Sequence, residues 1–171
     1  MLSSSMNQKL NAQITREFYS SYLYRQIASC LDAMGLTVLE QLFLVQADEE
    51  RLHATKLIDY VQKADGRLEL GAVSAPPTEY ASVLAIAEAT LAHEREVTGH
   101  IHALVAQAEA DKDYSTRSYL QWYIDEQVEE EASFADLVQL ARLAGDNLLA
   151  LEDRVGKLLV VRAAAKTKPA E

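Results

Sequence analysis

Residues that turn a polypeptide chain are scarce in this sequence. Six glycines and three prolines make up nine of its 171 residues, about 5%, against roughly 12% in an average protein. The chain therefore changes direction only a few times, which favours long helices and argues against an all-β fold. Its 49% hydrophobic content is enough for a packed core, which argues against intrinsic disorder.

Cysteine is almost absent, and long apolar runs are missing. Cys30 is the single cysteine, so an internal disulfide and a Cys-rich zinc or iron–sulfur site are excluded. The first ten residues, MLSSSMNQKL, lack the basic and apolar regions of a secretion signal. No apolar run approaches the roughly 18 residues of a membrane span. We therefore expect a cytoplasmic protein without a membrane partner.

Positive charge is also in short supply. The chain has 16 lysines and arginines against 26 aspartates and glutamates, a formal net charge of -10. This is the wrong sign for a protein that binds nucleic acid or an anionic membrane surface. Cations are the partners that the composition favours.

The few turn signals divide the chain into five helical segments. Gly35, the stretch 66–77, the stretch 111–113 and Gly145 mark the divisions. The predicted helices A to E span residues 7–34, 38–65, 80–111, 116–143 and 147–162. Residues 1–162 would form a single domain, followed by a flexible tail at 163–171. Thr37, Thr78 and Ser115 are the predicted N-caps of helices B, C and D.

The helix lengths predict a four-helix bundle. A helix of about 30 residues is about 45 Å long, which suits a bundle better than most other packings. The short A–B and C–D links predict antiparallel neighbours. The B–C link, at about fourteen residues, is long enough to run the length of the bundle. We therefore predict an all-α bundle with one long crossover between helices B and C and a short fifth helix.

The apolar stripes of helices A to D are interrupted by polar residues close to each helix midpoint. Carboxylates buried together cost several kcal/mol each or stay protonated, unless bound cations compensate them. A set of oxygen ligands with one imidazole suits iron or manganese better than thiophilic metals. The six interrupting residues are Glu17, Glu50, His53, Glu94, Gln127 and Glu130.

The spacing of these residues supports a pair of metal ions. Glu50 and His53 form a Glu-x-x-His motif, and Gln127 and Glu130 repeat the spacing with an amide in place of the first carboxylate. Two glutamates from two helices plus two Glu-x-x-His pairs are the ligand pattern of di-iron carboxylate bundles. Five of the six positions match that pattern here.

Several stretches resemble the bacterial non-haem ferritins. They are Glu17 with Tyr24, QADEERLHA at 46–54, HERE at 93–96 and YLQWYIDEQVEEE at 119–131. The resemblance implies a ferritin-like fold with a ferroxidase centre. Its first iron would be held by Glu17, Glu50 and His53, and its second by Glu50, Glu94 and Glu130, with Gln127 nearby and Tyr24 beside the ligands.

The resemblance also implies properties beyond the di-iron centre. A third iron site would comprise Glu49, Glu126 and Glu129, with Glu130 shared. The chain would form a homo-oligomeric cage of twenty-four subunits that oxidises Fe(II) with O2 or H2O2 and stores Fe(III) as a mineral. Bacterioferritins carry a haem-ligating methionine directly after the helix B glutamate, where this chain has Arg51. Haem is therefore not expected.

Other interpretations of these patterns stay open. One is a discrete di-iron oxidase or peroxidase of the rubrerythrin type, which the lack of rubredoxin-like cysteine pairs disfavours. Another is a purely structural bundle, in which the buried carboxylates would have no purpose. The tail could hold a docking site for a partner protein, although its few lysines do not suggest DNA binding. Surface positions are predicted for His93, His100 and His102, and packing roles for Tyr119, Trp122 and Tyr123.

Overall fold

Five helices make up the regular structure of the part of the chain described below. The computed structural model describes residues 2–166, with side chains described for residues 2–159. No strand occurs within that range. The helices are α1 (Ser4–Ala33), α2 (Thr37–Lys63), α3 (Val83–Ala110), α4 (Tyr114–Ala144) and α5 (Leu148–Lys166). The predicted all-α fold with a C-terminal fifth helix is confirmed.

Helix starts differ from the prediction because other residues cap them. The Ser3 hydroxyl accepts a hydrogen bond from the Met6 amide at 3.0 Å, so α1 begins three residues earlier than predicted. Ser82 caps α3, and Asp113 caps α4. The predicted caps Thr78 and Ser115 are therefore wrong. Short polar side chains are interchangeable as caps, so sequence alone does not choose among neighbours.

The start of α2 is capped from a distant part of the chain. Thr37 is the first residue of the helix and not its cap, and Leu36 before it has no side chain that can accept a hydrogen bond. The Glu152 carboxylate of α5 instead accepts from the Val38 amide at 3.1 Å and the Leu39 amide at 2.8 Å. A carboxylate at a helix N-terminus also interacts favourably with the helix dipole. This contact attaches α5 to the bundle.

Two helical hairpins form the bundle, and a long crossover joins them. α1 packs on α2, α3 packs on α4, and α1 also contacts α3. The crossover between α2 and α3 runs along α1, and polar side chains on one side of α1 bind the backbone of the crossover. Asn7 and Asn11 bind the backbone of the crossover at residues 67 and 69, and the Thr15 hydroxyl accepts from the Gly71 amide at 3.1 Å. The predicted single crossover is confirmed.

The hydrophobic core is divided into two parts along the bundle. One cluster includes Leu31, Phe43 and Phe134 and extends to Leu151 and Val155 of α5. The other cluster contains Leu10, Leu57, Ile101 and Leu120. The six polar positions singled out in the sequence are buried as well. They come from the middles of α1 to α4, at the level between the two clusters, which places any site they form inside the subunit.

α5 continues four residues beyond its predicted end at 162, to Lys166. The predicted tail at 163–171 is thus helical in its first four positions, and residues 167–171 lie outside the described residues. Within the described chain, no helix combines the length and the apolar character needed to cross a membrane.

Candidate metal centre

Acidic side chains from all four bundle helices are buried close together, and the His53 imidazole lies beside two of them. One ligand atom from each of Glu17, Glu50 and His53 lies within 4.8 Å of the other two, in the only such group found among the described residues. Glu94 and Glu130 are close enough to Glu50 to perturb its ionisation. Relative exposure is 6% or less for all five side chains. This arrangement brings the predicted site residues to one level of the bundle.

Helix geometry orients the Glu50–His53 pair. Residues three apart share a helix face, and His53 Nδ1 lies 3.5 Å from Glu50 Oε2. The imidazole is packed edge-on against the rings of Trp122 and Tyr123, with ring centroids 5.3 and 6.2 Å away. The Tyr123 hydroxyl donates to the His53 carbonyl oxygen at 2.8 Å. These contacts hold the imidazole and support the packing role predicted for Trp122 and Tyr123.

Two polar side chains donate hydrogen bonds to the Glu94 carboxylate. The Tyr24 hydroxyl donates to Oε1. The Gln127 amide donates to Oε2 at 3.2 Å and lies equally close to the Thr98 hydroxyl. Tyr24 therefore sits directly beside the Glu94 carboxylate.

Two further amides contact the site, and neither was predicted from the sequence. The Gln13 amide donates to Glu17 Oε1 at 2.8 Å, and the Gln46 amide donates to Glu130 Oε2 at 2.8 Å. Gln13 precedes Glu17 by one helical turn, a spacing that could have revealed it. Gln46 reaches from α2 to α4, so only the packing of those helices shows its partner.

Burial raises the pKa values of the carboxyl groups in the site. The pKa of Glu130 rises to about 8, mainly through burial and then through the charge of Glu94. Burial likewise raises the pKa of Glu94 to about 7, although hydrogen bonds from Tyr24 and Gln127 oppose the rise. The pKa of Glu50 is raised well above 4.5 by burial and by the charges of Glu17 and Glu94. Without a cation, several of these groups hold protons near neutral pH.

Burial also favours the neutral forms of the ring side chains. It lowers the pKa of His53, although the charge of Glu17 opposes the effect. The imidazole is therefore neutral near pH 7, which is the form that binds metals. Burial and the Glu94 charge raise the pKa of the Tyr24 hydroxyl well above 10.0, so it remains a hydrogen-bond donor.

The three additional residues of the expected third site are less closely grouped. Glu49 and Glu126 are half-buried, and Glu129 is exposed. Together with Glu130 they do not form a set of three ligand atoms within 4.8 Å in the described chain. The charges of Glu49 and Glu126 nevertheless help to raise the pKa of Glu130, although burial and the charge of Glu94 are the larger causes. Both groups therefore lie near Glu130 and His53.

His93 is half-buried and not the surface residue that was predicted from the sequence. Its Nε2 lies 2.8 Å from the Ser20 hydroxyl of α1. Its ring packs edge-on against Tyr19 and Tyr24, with centroids 5.8 and 6.0 Å away. The prediction was wrong because α1 covers a face of α3 that the sequence pattern leaves polar. Of the other two histidines, His102 is exposed as predicted and His100 is half-buried.

Comparisons with known proteins agree with this architecture. Residues 7–144 match the family profile of the ferritin-like domain. A bacterial non-heme ferritin from Staphylococcus aureus strain MRSA252 is 36% identical over 151 residues, covering 88% of this chain and 91% of that protein. The corresponding protein of Staphylococcus saprophyticus is 37% identical over 147 residues, covering 86% and 88%.

A solved structure is similar over the same length. An open pore ferritin from the archaeon Archaeoglobus fulgidus superposes with a TM-score of 0.88 at 44% identity, covering 91% of this chain and 96% of that chain. The similarity thus extends over most of the length of both chains.

Proposed function

Because the chain belongs to the ferritin family, which supports a role in iron storage, we propose that it is a ferroxidase and mineral-storing ferritin. Fe(II) is its substrate, O2 or H2O2 is the oxidant, and Fe(III) is stored as a ferric oxyhydroxide. One observation carries the proposal. Carboxylates from four helices are buried with one imidazole, an arrangement whose cost bound cations would remove.

The two iron substrates would share one carboxylate. Glu17, Glu50 and His53 would bind the first Fe(II) ion, since their ligand atoms lie within 4.8 Å of one another. Glu50, Glu94 and Glu130 would bind the second, which makes Glu50 the bridge. Oxygen donors with an imidazole suit Fe(II). The proposed subsites are thus formed by side chains from all four bundle helices.

Two neighbouring Fe(II) ions can supply both electrons of one O2 reduction. Each ion loses one electron, and O2 takes up these two electrons and two protons to give H2O2 and two Fe(III) ions. A bridging carboxylate can change its binding mode as the distance between the ions changes. The Tyr24 hydroxyl, held against Glu94, is placed to hydrogen-bond or to donate an electron near the second ion.

Gln127 favours release of the product. Its amide contacts Glu94 and Thr98, and it adds no negative charge where a carboxylate would bind Fe(III) more tightly. We expect Fe(III) to leave for the storage cavity. Glu49, Glu126 and Glu129, with Glu130 shared, would bind a third iron beside the pair. The electrostatic effect of Glu49 and Glu126 on Glu130 supports this assignment.

Storage of a mineral requires many copies of the chain around a cavity. We propose a homo-oligomer of twenty-four subunits, as expected for the family. The described surface carries large apolar side chains that subunit contacts would cover, among them Tyr22, Leu143 and Leu149, with relative exposures of 56%, 77% and 83%.

Aerobic iron loading tests the proposal. Apo-protein is given increasing Fe(II), and the iron that stays soluble per subunit is counted after gel filtration. A count far above about three per subunit in a large particle is expected, because three irons fill the proposed binding sites. A plateau at two or three would instead indicate a discrete di-iron oxidase. No retained iron would indicate a structural bundle.

A matched pair of variants on α3 links loading to the site. Glu94→Gln removes a buried carboxylate and should reduce rapid oxidation strongly. Glu96→Gln changes an exposed side chain two residues away, 72% exposed and near His100. It should load like the unaltered protein. An equal loss of rapid Fe(II) oxidation in both variants would contradict the assigned site.

A further inference from the structure

Three neutral amides make hydrogen bonds to three different carboxylates of the candidate metal centre. Gln13 donates to Glu17, and Gln46 donates to Glu130, both at 2.8 Å. Gln127, which the proposed function already includes, donates to Glu94. Relative exposure is 0% for Gln13 and 9% for Gln46. Buried amides need partners, and here a donor of each side chain is directed at a carboxylate.

We infer that Gln13 and Gln46 are positioning residues, each of which orients one iron-binding carboxylate: Gln13 that of the first subsite and Gln46 that of the second. This inference rests on the proposed function. A carboxylate has two oxygens and about four acceptor sites, so an amide bound to one oxygen sets the rotation of the group. The remaining acceptor sites of the carboxylate are then fixed in direction and left for the proposed iron.

The orientation of Gln13 is itself determined by a neighbour. Arg16 Nη1 lies 3.4 Å from Gln13 Oε1, which accepts from the guanidinium. The Gln13 Nε2 group is then the end that faces Glu17. The amide separates the arginine from the carboxylate, so the positive charge is not placed directly on a ligand of the cation.

Gln46 performs the corresponding task between two helices. It lies one turn before Glu50 on α2, yet its hydrogen bond reaches Glu130 on α4. A lysine or arginine there could hold the carboxylate equally well but would cancel its negative charge. A neutral donor orients the carboxylate and leaves its charge available for Fe(II). Residues that orient metal ligands typically change metal affinity by about 10- to 100-fold when they are replaced.

Anaerobic Co(II) binding tests this inference without iron oxidation. The probe is Co(II) alone, followed by its visible absorption and by calorimetry in the assembled protein. Methionine replaces each amide with an unbranched side chain of similar length that has no donor. Gln13→Met should weaken one of the two Co(II) sites by about 10- to 100-fold and leave the other within about threefold. Gln46→Met should show the opposite pattern.

Matched substitutions control for the addition of methionine. Gln8→Met on α1 and Gln41→Met on α2 change exposed glutamines, and both should bind Co(II) like the unaltered chain. In each test variant, the subsite that is not affected shows that the bundle is folded. Gln13→Leu and Gln46→Leu repeat the measurement with a branched side chain. If methionine and leucine lower the Co(II) affinity alike, the cause is the missing hydrogen-bond donor.

The outcomes separate the inference from the proposed function. If the unaltered chain binds fewer than two Co(II) ions per subunit, the proposed di-iron centre fails and this inference fails with it. If it binds two ions, but both amide variants match the unaltered isotherm, the positioning role alone is overturned. Equal weakening of both sites in each variant would also overturn it, because the amides would then lack the assigned selectivity.

Discussion

Removal of the Glu130 carboxyl should weaken the pH dependence of stability in the metal-free protein. The folded-state pKa of this group is raised from 4.5 to about 8, with burial as the largest cause. Between these values the folded chain binds more protons than the unfolded chain. The stabilising contribution is therefore complete below about pH 4.5 and is lost as pH rises through about 8.

The magnitude follows from the size of this change in pKa. Each pKa unit corresponds to about 1.4 kcal/mol, so the full contribution is about 5 kcal/mol, of which about 3 kcal/mol is lost between pH 5.5 and 8.5. Glu130→Gln has no titrating group, and its amide oxygen can still accept from Gln46. Between pH 5.5 and 8.5, the free energy of unfolding should therefore fall by about 3 kcal/mol less in the variant than in the unaltered chain.

Urea unfolding provides the measurement. Chelated protein at one fixed chain concentration is unfolded at pH 5.5 and 8.5, and helix loss is followed by circular dichroism. Glu129→Gln is the matched control, because Glu129 is the exposed neighbour of Glu130. It should retain the pH dependence of the unaltered chain. If Glu130→Gln retains it as well, the buried carboxyl does not have the assigned effect.

Three further predictions address the metal site and the attachment of α5. His53→Ala should slow rapid Fe(II) oxidation at least about tenfold in stopped-flow absorbance, because a ligand is lost; equal rates would contradict the assignment. Gln127→Glu should hold Fe(III) longer at the centre, seen as slower recovery of oxidation activity after a first addition of iron; unchanged recovery would count against the release argument. Glu152→Ala should lower the unfolding free energy by about 1 kcal/mol, because the Val38 and Leu39 amides lose their cap; an unchanged melting temperature would refute it.

The bundle could be predicted because it depends on features that are local in the sequence. Few turn residues, long amphipathic segments and one long link lead to four packed helices with a single crossover. Helix length also explains why residues near the midpoints meet. Glu17, Glu50 and Glu94 lie near the middle of their helices, and side-by-side packing brings them to one level whatever the detailed crossing angles are.

The details around the site could not be predicted because they depend on contacts between helices. Gln46 lies beside Glu50 in the sequence but donates to Glu130 on another helix. His93 has a polar neighbourhood in the sequence, yet α1 covers it and Ser20 binds its ring. Neither helical periodicity nor residue type identifies such partners. Both contacts depend on how far each helix is rotated about its axis.

The sequence by itself therefore determined the fold class, the order of the helices and the level at which the polar residues gather. These properties follow from periodicity and chain length, which act within each helix. Only the tertiary structure decided which donor meets which carboxylate, which pKa values burial raises, and how Glu152 of α5 caps α2. The physical reason is that hydrogen bonds and desolvation act over a few ångströms, between groups that the chain brings together only when it is folded.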